Sequence, residues 1–152
     1  MRIPFKDIIF VLLQFVLFIT FTFEVDALRI FFPDYLFWGG VGILGLGAFV
    51  TLWAVLQLNV HLSPFPSPLP GSKLIVNGAY KWARHPIYTG IILAFLGFSI
   101  IADSGYKLIV AGMLLLLFYF KSHYEEQRLI VMFPDYQKYK QKTGRFFPKI
   151  HF

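Results

Sequence analysis

The side chains best suited to chemistry lie between Gly78 and Gly90, at the start of an apolar run. Arg84 and His85 come directly before Pro86 in this stretch. Proline at the first turn of a helix costs no backbone hydrogen bond, so we expect Pro86 to begin a helix and leave Arg84 and His85 just outside it. Unpaired N–H groups at a helix start and the forked arginine side chain both favour an anion. The pattern predicts a site for a carboxylate or a phosphate.

The same residues also have a simpler interpretation, in which Arg84 meets lipid phosphate and His85 caps the helix. Tyr80 and Tyr88 flank the turn, and their ring faces are suited to a sulfonium or ammonium centre. Trp82 is more typical of an aromatic belt at the membrane surface. The residue types alone leave both interpretations of Arg84 and His85 open.

A second polar group follows a later apolar run and contains the adjacent carboxylates Glu125 and Glu126. We interpret them as the end of a helix, where acidic side chains oppose the helix dipole and need a compensating partner. Lys121 and Arg128, at helical spacing, are the simplest partners. The functional alternative is that Glu125 binds an amine or the ribose hydroxyls of a cationic cofactor.

Glu126 has a separate predicted role in this alternative, which is to brace Arg84 or His85. An amine acceptor would have to lose a proton before it reacts, and a nearby imidazole or carboxylate can remove it. The candidate catalytic residues are therefore His85, Glu125 and Glu126.

Apolar segments must position both groups. The 152-residue chain is 57% hydrophobic and 14% charged, which is more apolar surface than a soluble domain of this size could bury. We therefore predict an all-α integral membrane protein with a single domain, residues 1–152. A helix crosses the hydrocarbon core with roughly 20 apolar residues. The four predicted transmembrane helices cover residues 5–23, 36–58, 87–102 and 105–120.

The first run follows Arg2 and Lys6 and has no small-residue cleavage site behind it, so we expect a retained helix rather than a signal peptide. The last two runs are short, and a re-entrant hairpin is the alternative to two full crossings. If these two runs fold back on each other, residues 84–86 and 125–126 meet at one membrane surface.

After the fourth run, apolar residues recur every three or four positions on both sides of Pro134. This spacing predicts a C-terminal amphipathic helix with a break, lying in the headgroup layer. Residues 143–148 are too aromatic for a free tail, so we expect them to pack against the helices.

Two other stretches are expected to shape the fold. Five glycines of the second run, at positions 39, 40, 42, 45 and 47, have the spacing that lets another helix approach closely. Packing within the chain is the favoured interpretation, and dimerisation is the alternative. The proline-rich residues 64–71 cannot be helical and predict a stiff connector along the membrane surface.

The basic residues are distributed unevenly about the predicted helices. With four crossings, 12 of the 14 Lys and Arg residues fall on one side, and only Arg29 and Lys107 fall on the other. The positive-inside rule then places both termini and the site in the cytoplasm. The formal charge of +6 is explained by contact with anionic lipid, so we expect membrane lipids as partners and no nucleic acid.

No metal site is expected. The chain has no cysteine, and His61 and His123 lack partners at metal-ligand spacing.

Taken together, these motifs resemble the membrane methyltransferases typified by isoprenylcysteine carboxyl methyltransferase and the phospholipid N-methyltransferases. The resemblance covers residues 64–148. The matching pieces are Leu74-Ile75, Gly78-x-Tyr80, Arg84-His85-Pro86-x-Tyr88-x-Gly90, Glu125-Glu126 with Leu129, and Phe133-x-x-Tyr136-x-x-Tyr139 ahead of Arg145 and Pro148.

The resemblance implies an enzyme that uses S-adenosylmethionine and a lipophilic acceptor that enters from the bilayer. It implies cofactor contacts from one segment and several separate side chains, and Arg84 is added from its affinity for anions. The cofactor-binding candidates are Ser72, Lys73, Leu74, Ile75, Tyr80, Arg84, His85, Pro86, Ile87, Tyr88 and Glu125. Lys121 falls where the isoprenylcysteine enzymes have arginine near the acceptor carboxylate, which makes it the substrate-binding candidate and leaves a prenylcysteine acceptor open.

Several functional alternatives remain at this point. Integral sterol reductases look similar around the Arg-His-Pro motif but use NADPH, whose 2′-phosphate asks for more basic residues than the Glu125-Glu126 pair offers. A catalytically silent membrane scaffold is the other alternative. For an enzyme, the acceptor can be a prenylcysteine carboxylate, a phospholipid amine, a small thiol or a quinone-like lipid.

Overall fold

The computed structural model describes residues 4–58, 63–68 and 71–149. Within these segments the regular structure is helical, with a single-turn 3-10 helix at Asp26–Leu28 and no strand. The helices are α1 (Phe5–Phe21), α2 (Asp34–Leu58), α3 (Ala79–Trp82), α4 (Pro86–Ile101), α5 (Gly105–Met132) and α6 (Tyr136–Lys142).

Two of these helices, α2 and α5, are long and apolar enough to cross a membrane, and α4 is a shorter apolar helix. Their lengths are 25, 28 and 16 residues. At a rise of about 1.5 Å per residue, α2 and α5 exceed the roughly 30 Å of a hydrocarbon core. The described chain is therefore an all-helical protein with two candidate membrane-spanning helices.

Helices α2 and α4 pack against each other through glycines spaced seven residues apart. A Cβ atom on Gly40 would lie 2.9 Å from the carbonyl oxygen of Gly97, and one on Gly47 would lie 2.5 Å from that of Gly90. The two backbones are thus nearly in contact, as the small-residue spacing predicts. The other three glycines of α2 have no neighbour within 4 Å among the described residues. Packing within the chain is therefore confirmed for Gly40 and Gly47 only.

Helices α4 and α5 form the predicted hairpin. Asp103 occupies the tight turn between them with a φ of 51°, a left-handed conformation that aspartate tolerates better than most residues. Its backbone oxygen accepts from the Ile30 N–H at 2.8 Å, and its carboxylate accepts from the Phe32 N–H at 3.2 Å. The turn is therefore tied to the chain that leads into α2.

The prediction that Glu125 and Glu126 end a helix is wrong. Helix α5 continues without a break to Met132, so Glu125 and Glu126 lie inside it rather than at its C-terminus. The fall in hydropathy after Phe120 marks a change of surroundings and does not interrupt the backbone. Charge partners on neighbouring elements, and not the helix dipole, must therefore explain the two carboxylates.

The C-terminal helical region is interrupted at Pro134, as the sequence predicts. α5 ends at Met132, residues 133–135 turn, and α6 begins at Tyr136. Tyr136 and Tyr139 of α6 are buried. The proline-rich connector is non-helical at residues 63–68, whereas Leu69 and Pro70 lie outside the described residues.

Candidate functional site

The site begins at the N-terminus of α4. Pro86 is the first helical residue and His85 precedes it in a non-helical conformation, which confirms the predicted helix start. The backbone oxygen of His85 accepts from the N–H of Thr89 at 3.1 Å. Arg84 and His85 are therefore held at fixed positions just outside the helix.

A segment of the C-terminal tail lies alongside this turn and bonds to it. The Arg84 N–H donates to the Gly144 carbonyl at 2.9 Å, and the His85 N–H donates to the Arg145 carbonyl at 3.0 Å. The hydroxyl of Thr89 donates to the carbonyl of Phe146 at 2.8 Å. These bonds confirm that residues 143–148 pack back onto the helices.

Glu126 is the centre of a buried cluster of charges. Its side chain is 1% exposed. Four basic side chains surround it, all of them from other elements. The shortest distances to its carboxylate oxygens are 2.8 Å from Arg84, 3.2 Å from His85, 3.2 Å from Lys140 and 3.4 Å from Arg145. Glu126 therefore joins α5 to the α4 turn, α6 and the tail.

All three nitrogens of the Arg84 guanidinium contact protein atoms. The Nε and one terminal nitrogen lie 2.9 and 2.8 Å from Glu126 Oε1. The other terminal nitrogen donates to the backbone carbonyls of Lys140, at 3.2 Å, and Thr143. The fork predicted for an external anion is thus largely occupied by Glu126, and Arg84 chiefly fixes the geometry of the site.

Glu125, next in the chain, has different surroundings. Its Oε2 accepts from the Tyr88 hydroxyl at 3.0 Å and lies 3.7 Å from His85 Nδ1. Its side chain is 25% exposed, against 1% for Glu126. The imidazole of His85 lies between the two carboxylates, with Nε2 near Glu126 and Nδ1 nearer Glu125. Of the two acids, Glu125 is the one a ligand can reach.

A stack of three aromatic rings, those of His85, Tyr88 and Phe118, lies next to Glu125. The rings of His85 and Tyr88 are parallel, with centroids 5.4 Å apart and an interplanar angle of 1°. Tyr88 also stacks on Phe118 at 4.4 Å, and Phe118 is fully buried. The hydroxyl of Tyr88 therefore has little freedom, and its bond orients the Glu125 carboxylate.

Two cavities meet at Glu125. The first, of about 120 Å³, lies between the connector, the segment before α3 and the ends of α5 and α6. The second, of about 270 Å³, lies between α1, α4 and α5. Both are lined by Leu58, Ser63, Tyr80, Arg84 and Glu125. A ligand in one cavity is therefore adjacent to a ligand in the other.

Tyr80 and Tyr139 line the first cavity, and their hydroxyl groups are neutral. Burial raises the pKa of Tyr80 well above its usual value, and burial does the same to the pKa of Tyr139. Tyr139 donates its hydroxyl hydrogen to the backbone carbonyl of Tyr80. The bond ties α6 to α3 and keeps the ring of Tyr80 at the boundary between the cavities.

The structure brings most of the predicted residues to these two cavities. The first is lined by Ser72, Lys73, Leu74, Ile75, Tyr80, Arg84 and Glu125. The second is lined by Tyr80, Arg84, His85, Pro86, Ile87, Tyr88, Lys121 and Glu125. Glu126 lines neither cavity and is enclosed by its basic partners.

Sequence reasoning missed two polar side chains that line the second cavity, those of Gln14 in α1 and Ser63 in the connector. Gln14 accepts a hydrogen bond from the Lys121 ammonium at 2.6 Å. A signal for Gln14 existed, because it is the only amide in the apolar run 5–23 and an isolated polar residue in such a run usually faces protein. No comparable signal marked Ser63.

No group of three metal-ligating side chains occurs among residues 4–58, 63–68 and 71–149. His123 is exposed, with its ring nitrogen 3.2 Å from the amide of Gln127. His61 lies outside the described residues.

Two curated bacterial proteins match. The cobalt-zinc-cadmium resistance protein CzcN of Cupriavidus metallidurans is 27% identical over 113 residues, which are 72% of this chain and 49% of that protein. The uncharacterized protein YpbQ of Bacillus subtilis is 33% identical over 60 residues, 39% of this chain and 36% of that protein. The matched part thus spans about half of the first relative and about a third of the second.

The chain also matches a protein family. The sequence pattern described as "Phospholipid methyltransferase" matches residues 35–135, from the start of α2 to the turn before α6. The match includes the α4 turn, the aromatic stack, both carboxylates and Lys121. The chain therefore belongs to the phospholipid methyltransferase family of membrane methyltransferases.

Proposed function

We propose that this chain transfers a methyl group from S-adenosylmethionine to a lipophilic acceptor at the cytoplasmic face of a membrane. The observation that supports it best is the meeting of two cavities at Glu125. One cavity lies under the polar loops and the other between the helices, so a water-soluble donor and a lipid can approach the same carboxylate from different sides.

The residues of the first cavity fit the chemistry of this cofactor. The cofactor combines a sulfonium, an amino group and ribose hydroxyls, all of which a carboxylate can attract or accept bonds from. Glu125 supplies that carboxylate, and Tyr80 supplies a neutral aromatic ring beside it. The chain at 72–75 adds backbone groups and the apolar side chains of Leu74 and Ile75.

The other site residues act on Glu125 or on the shape of the cavities. Glu126 is proposed as a positioning residue, because its carboxylate holds Arg84, His85 and the tail together. Tyr88 orients Glu125 through its hydroxyl. Lys121 lines the acceptor side and supplies a positive charge there. His85 contacts both carboxylates and is the group best situated to hold a proton taken from an acceptor.

When bound, the cofactor would supply an electrophilic methyl group on a positively charged sulfur. The protein has little covalent work to do in such a transfer, so alignment of the two reactants and exclusion of water are its main contributions. The tail and α6 cover the site from the polar side through the bonds of Tyr139 and Thr89. Phe118 and the ring of Tyr88 form an apolar floor.

Four membrane crossings and an α6 that lies at the membrane surface complete the proposal. Helices α1 and α4 are shorter than α2 and α5, but α1 packs beside α5, and α4 packs beside both α2 and α5. Local thinning of the bilayer accommodates such lengths. The excess of basic residues at the site end supports a cytoplasmic orientation.

A reductase that binds NADPH has less support. The first cavity is lined by Lys73 and by the carboxylate of Glu125, and this carboxylate would repel a 2′-phosphate. The ion pairs of Arg84 and Arg145 are already made with Glu126.

The test is calorimetric titration of the detergent-solubilised protein with S-adenosylmethionine. We expect the wild-type chain to bind, and Glu125→Gln to bind at least about tenfold more weakly because a hydrogen bond to a charged group is lost. Glu24→Gln is the matched control, since Glu24 is 70% exposed and belongs to the opposite end of the bundle. Equal affinity of both variants would refute the assignment of Glu125, and binding of NADPH in place of the methyl donor would refute the function.

A further inference from the structure

The buried residues of α1 form one stripe, and a carboxylate begins it. The stripe consists of Asp7, Val11 and Gln14. Because these residues are spaced four and three positions apart, they lie on one face of the helix. Asp7 is in the first turn and is 0% exposed. A fully buried carboxylate on an apolar helix is costly unless neighbouring groups compensate it, so its contacts indicate what it does.

The carboxylate of Asp7 bonds the connector, whose described residues here are 63–68. Its Oδ2 accepts from the Ser67 N–H at 3.1 Å. Every second residue from 64 to 68 is proline, so this stretch has only two backbone donors, those of Phe65 and Ser67. The Phe65 N–H is used within the connector, where it donates to the Ser63 hydroxyl oxygen at 3.1 Å. Asp7 therefore holds the one backbone N–H that can fix residues 64–68 to a helix.

A second hydrogen bond holds the other end of the connector. The Pro64 carbonyl accepts from the Lys121 ammonium at 2.8 Å, and the same ammonium donates to Gln14 at 2.6 Å. Within the part of the chain that the structure describes, these bonds of Pro64 and Ser67 are the two that join residues 63–68 to helices. The stripe of α1 thus holds the connector directly at Ser67 and, through Lys121, at Pro64.

Electrostatic attraction supports both anchors. Lys121 is attracted by the carboxylates of Glu125 and Asp7. The N-terminal end of α1 also favours a negative charge in its first turn. The second oxygen of Asp7, Oδ1, is buried and has no hydrogen-bond partner among the described residues. Among these residues, the Ser67 N–H is therefore the one donor that bonds this carboxylate.

The connector is a wall of the cavity that we assign to the methyl donor. Five of its six described residues line the first cavity, together with Tyr80 and Glu125. These five are Ser63, Phe65, Pro66, Ser67 and Pro68. Asp7 itself lines neither cavity. A displacement of the connector would change the shape of the donor cavity while the helices stay in place.

We infer that Asp7 is a positioning residue for the methyl donor, because its bond to the Ser67 N–H fixes the connector as a wall of the donor cavity. The inference rests on the proposed function and adds a residue of α1, which lies before the family match at residues 35–135. Asp7 acts through the connector and touches neither reactant. What the connector requires from it is an acceptor oxygen.

The first experiment is calorimetric titration of detergent-solubilised variants with S-adenosylmethionine. Asp7→Ala removes the acceptor, so we expect the affinity to fall about tenfold, the effect of one hydrogen bond to a charged group. Asp7→Asn keeps an oxygen that can accept from Ser67, and it should bind within about threefold of wild type. Val11→Ala is the matched control, because Val11 belongs to the same buried stripe and lines neither cavity. It should lower the melting temperature and leave the donor affinity unchanged.

Amide hydrogen exchange tests the anchor without the cofactor. Residues 64–68 contain two exchangeable amides, so a peptide that spans them reports on Ser67 with little background. We expect the Ser67 amide to exchange at least about tenfold faster in Asp7→Ala than in wild type, because it is no longer hydrogen-bonded. Asp7→Asn should keep the slow exchange of wild type.

Four results would overturn the inference. They are wild-type affinity in folded Asp7→Ala, an equal loss of affinity in Val11→Ala, equally slow exchange of the Ser67 amide in Asp7→Ala and wild type, and tenfold weaker binding by folded Asp7→Asn. The last result decides the matter even where Asp7→Ala does not fold. Failure of the wild-type chain to bind S-adenosylmethionine would instead refute the proposed function, and the exchange measurement would still test the anchor.

Discussion

Helix α5 buries two lysines, Lys107 in its first turn and Lys121 in its second half, and their surroundings differ. Lys107 donates to two carbonyls at the end of α1 and lies 3.9 Å from the carboxylate of Glu24. Lys121 donates to Gln14 and lines the second cavity. Lys107 therefore caps a helix and has an acid nearby, whereas Lys121 has neutral partners and a cavity beside it.

The partners of a buried charge show whether it stabilises the fold or is available to a ligand. The same distinction applies to Glu126 and Glu125, which are neighbours in the chain. Glu126 is enclosed by basic side chains, and Glu125 faces both cavities. Burial alone does not identify a functional group, because Lys107 and Lys121 are buried equally well. The identity of the partners does.

The largest expected effect comes from Glu126→Ala. Removing this carboxylate leaves Arg84 buried beside other cations without its partner, a change that typically costs about 3–5 kcal/mol. We expect a lower melting temperature in detergent and loss of affinity for the methyl donor. A stable variant with normal affinity would show that the cluster is not what holds the site end together.

Lys107→Met should have the next largest effect, confined to stability. The carbonyls at the end of α1 lose their donor, which should cost about 1–3 kcal/mol in the free energy of unfolding. Denaturation in mixed micelles measures that loss, and titration of the folded protein with the methyl donor should give an unchanged affinity. Weakened binding would mean that the Lys107 end of α5 is coupled to the site.

Tyr88→Phe should affect activity more than stability. The ring and its stacking on Phe118 are kept, and only the bond to Glu125 is lost, so we expect kcat/KM to fall about tenfold. Methyl-transfer rates measured alongside melting temperatures test this, with Tyr106→Phe as a control because Tyr106 bonds a backbone carbonyl of α1. An equal loss of activity in both variants would contradict the prediction.

Asp103→Asn should have the smallest effect. Asparagine tolerates a φ of 51° and keeps an oxygen that accepts from the Phe32 N–H. We expect the free energy of unfolding to change by less than about 0.5 kcal/mol, with no effect on methyl transfer. A drop above 1 kcal/mol by the same denaturation assay would mean that the charge of Asp103 stabilises the opposite end of the bundle.

Local chemistry made part of this architecture predictable. Pro86 fixed the start of α4, and the apolar runs on either side of Asp103 indicated the hairpin that joins the Arg-His-Pro turn to the two carboxylates. Glycine spacing predicted close packing of α2, but only the structure identifies Gly40 and Gly47 as the pair that contacts α4.

The errors have a common physical origin. The adjacent acids Glu125 and Glu126 after an apolar run predict the end of a helix, but basic side chains of other elements surround Glu126 there and α5 continues to Met132. Helical spacing predicts Lys121 and Arg128 as the partners of the carboxylates. The ion pairs of Glu126 come instead from the α4 turn, α6 and the tail, up to 42 residues away along the chain. Such distant pairings leave no local pattern to recognise.

The pairing of residues 143–146 with the α4 turn has a consequence for how the protein is made. The backbone oxygens that hold Arg84 and His85 belong to Thr143, Gly144 and Arg145, which leave the ribosome about 60 residues later. Until then, the helices already in the bilayer have an arginine turn with its backbone N–H groups still uncovered. Completion of the site is thus a late step of biogenesis.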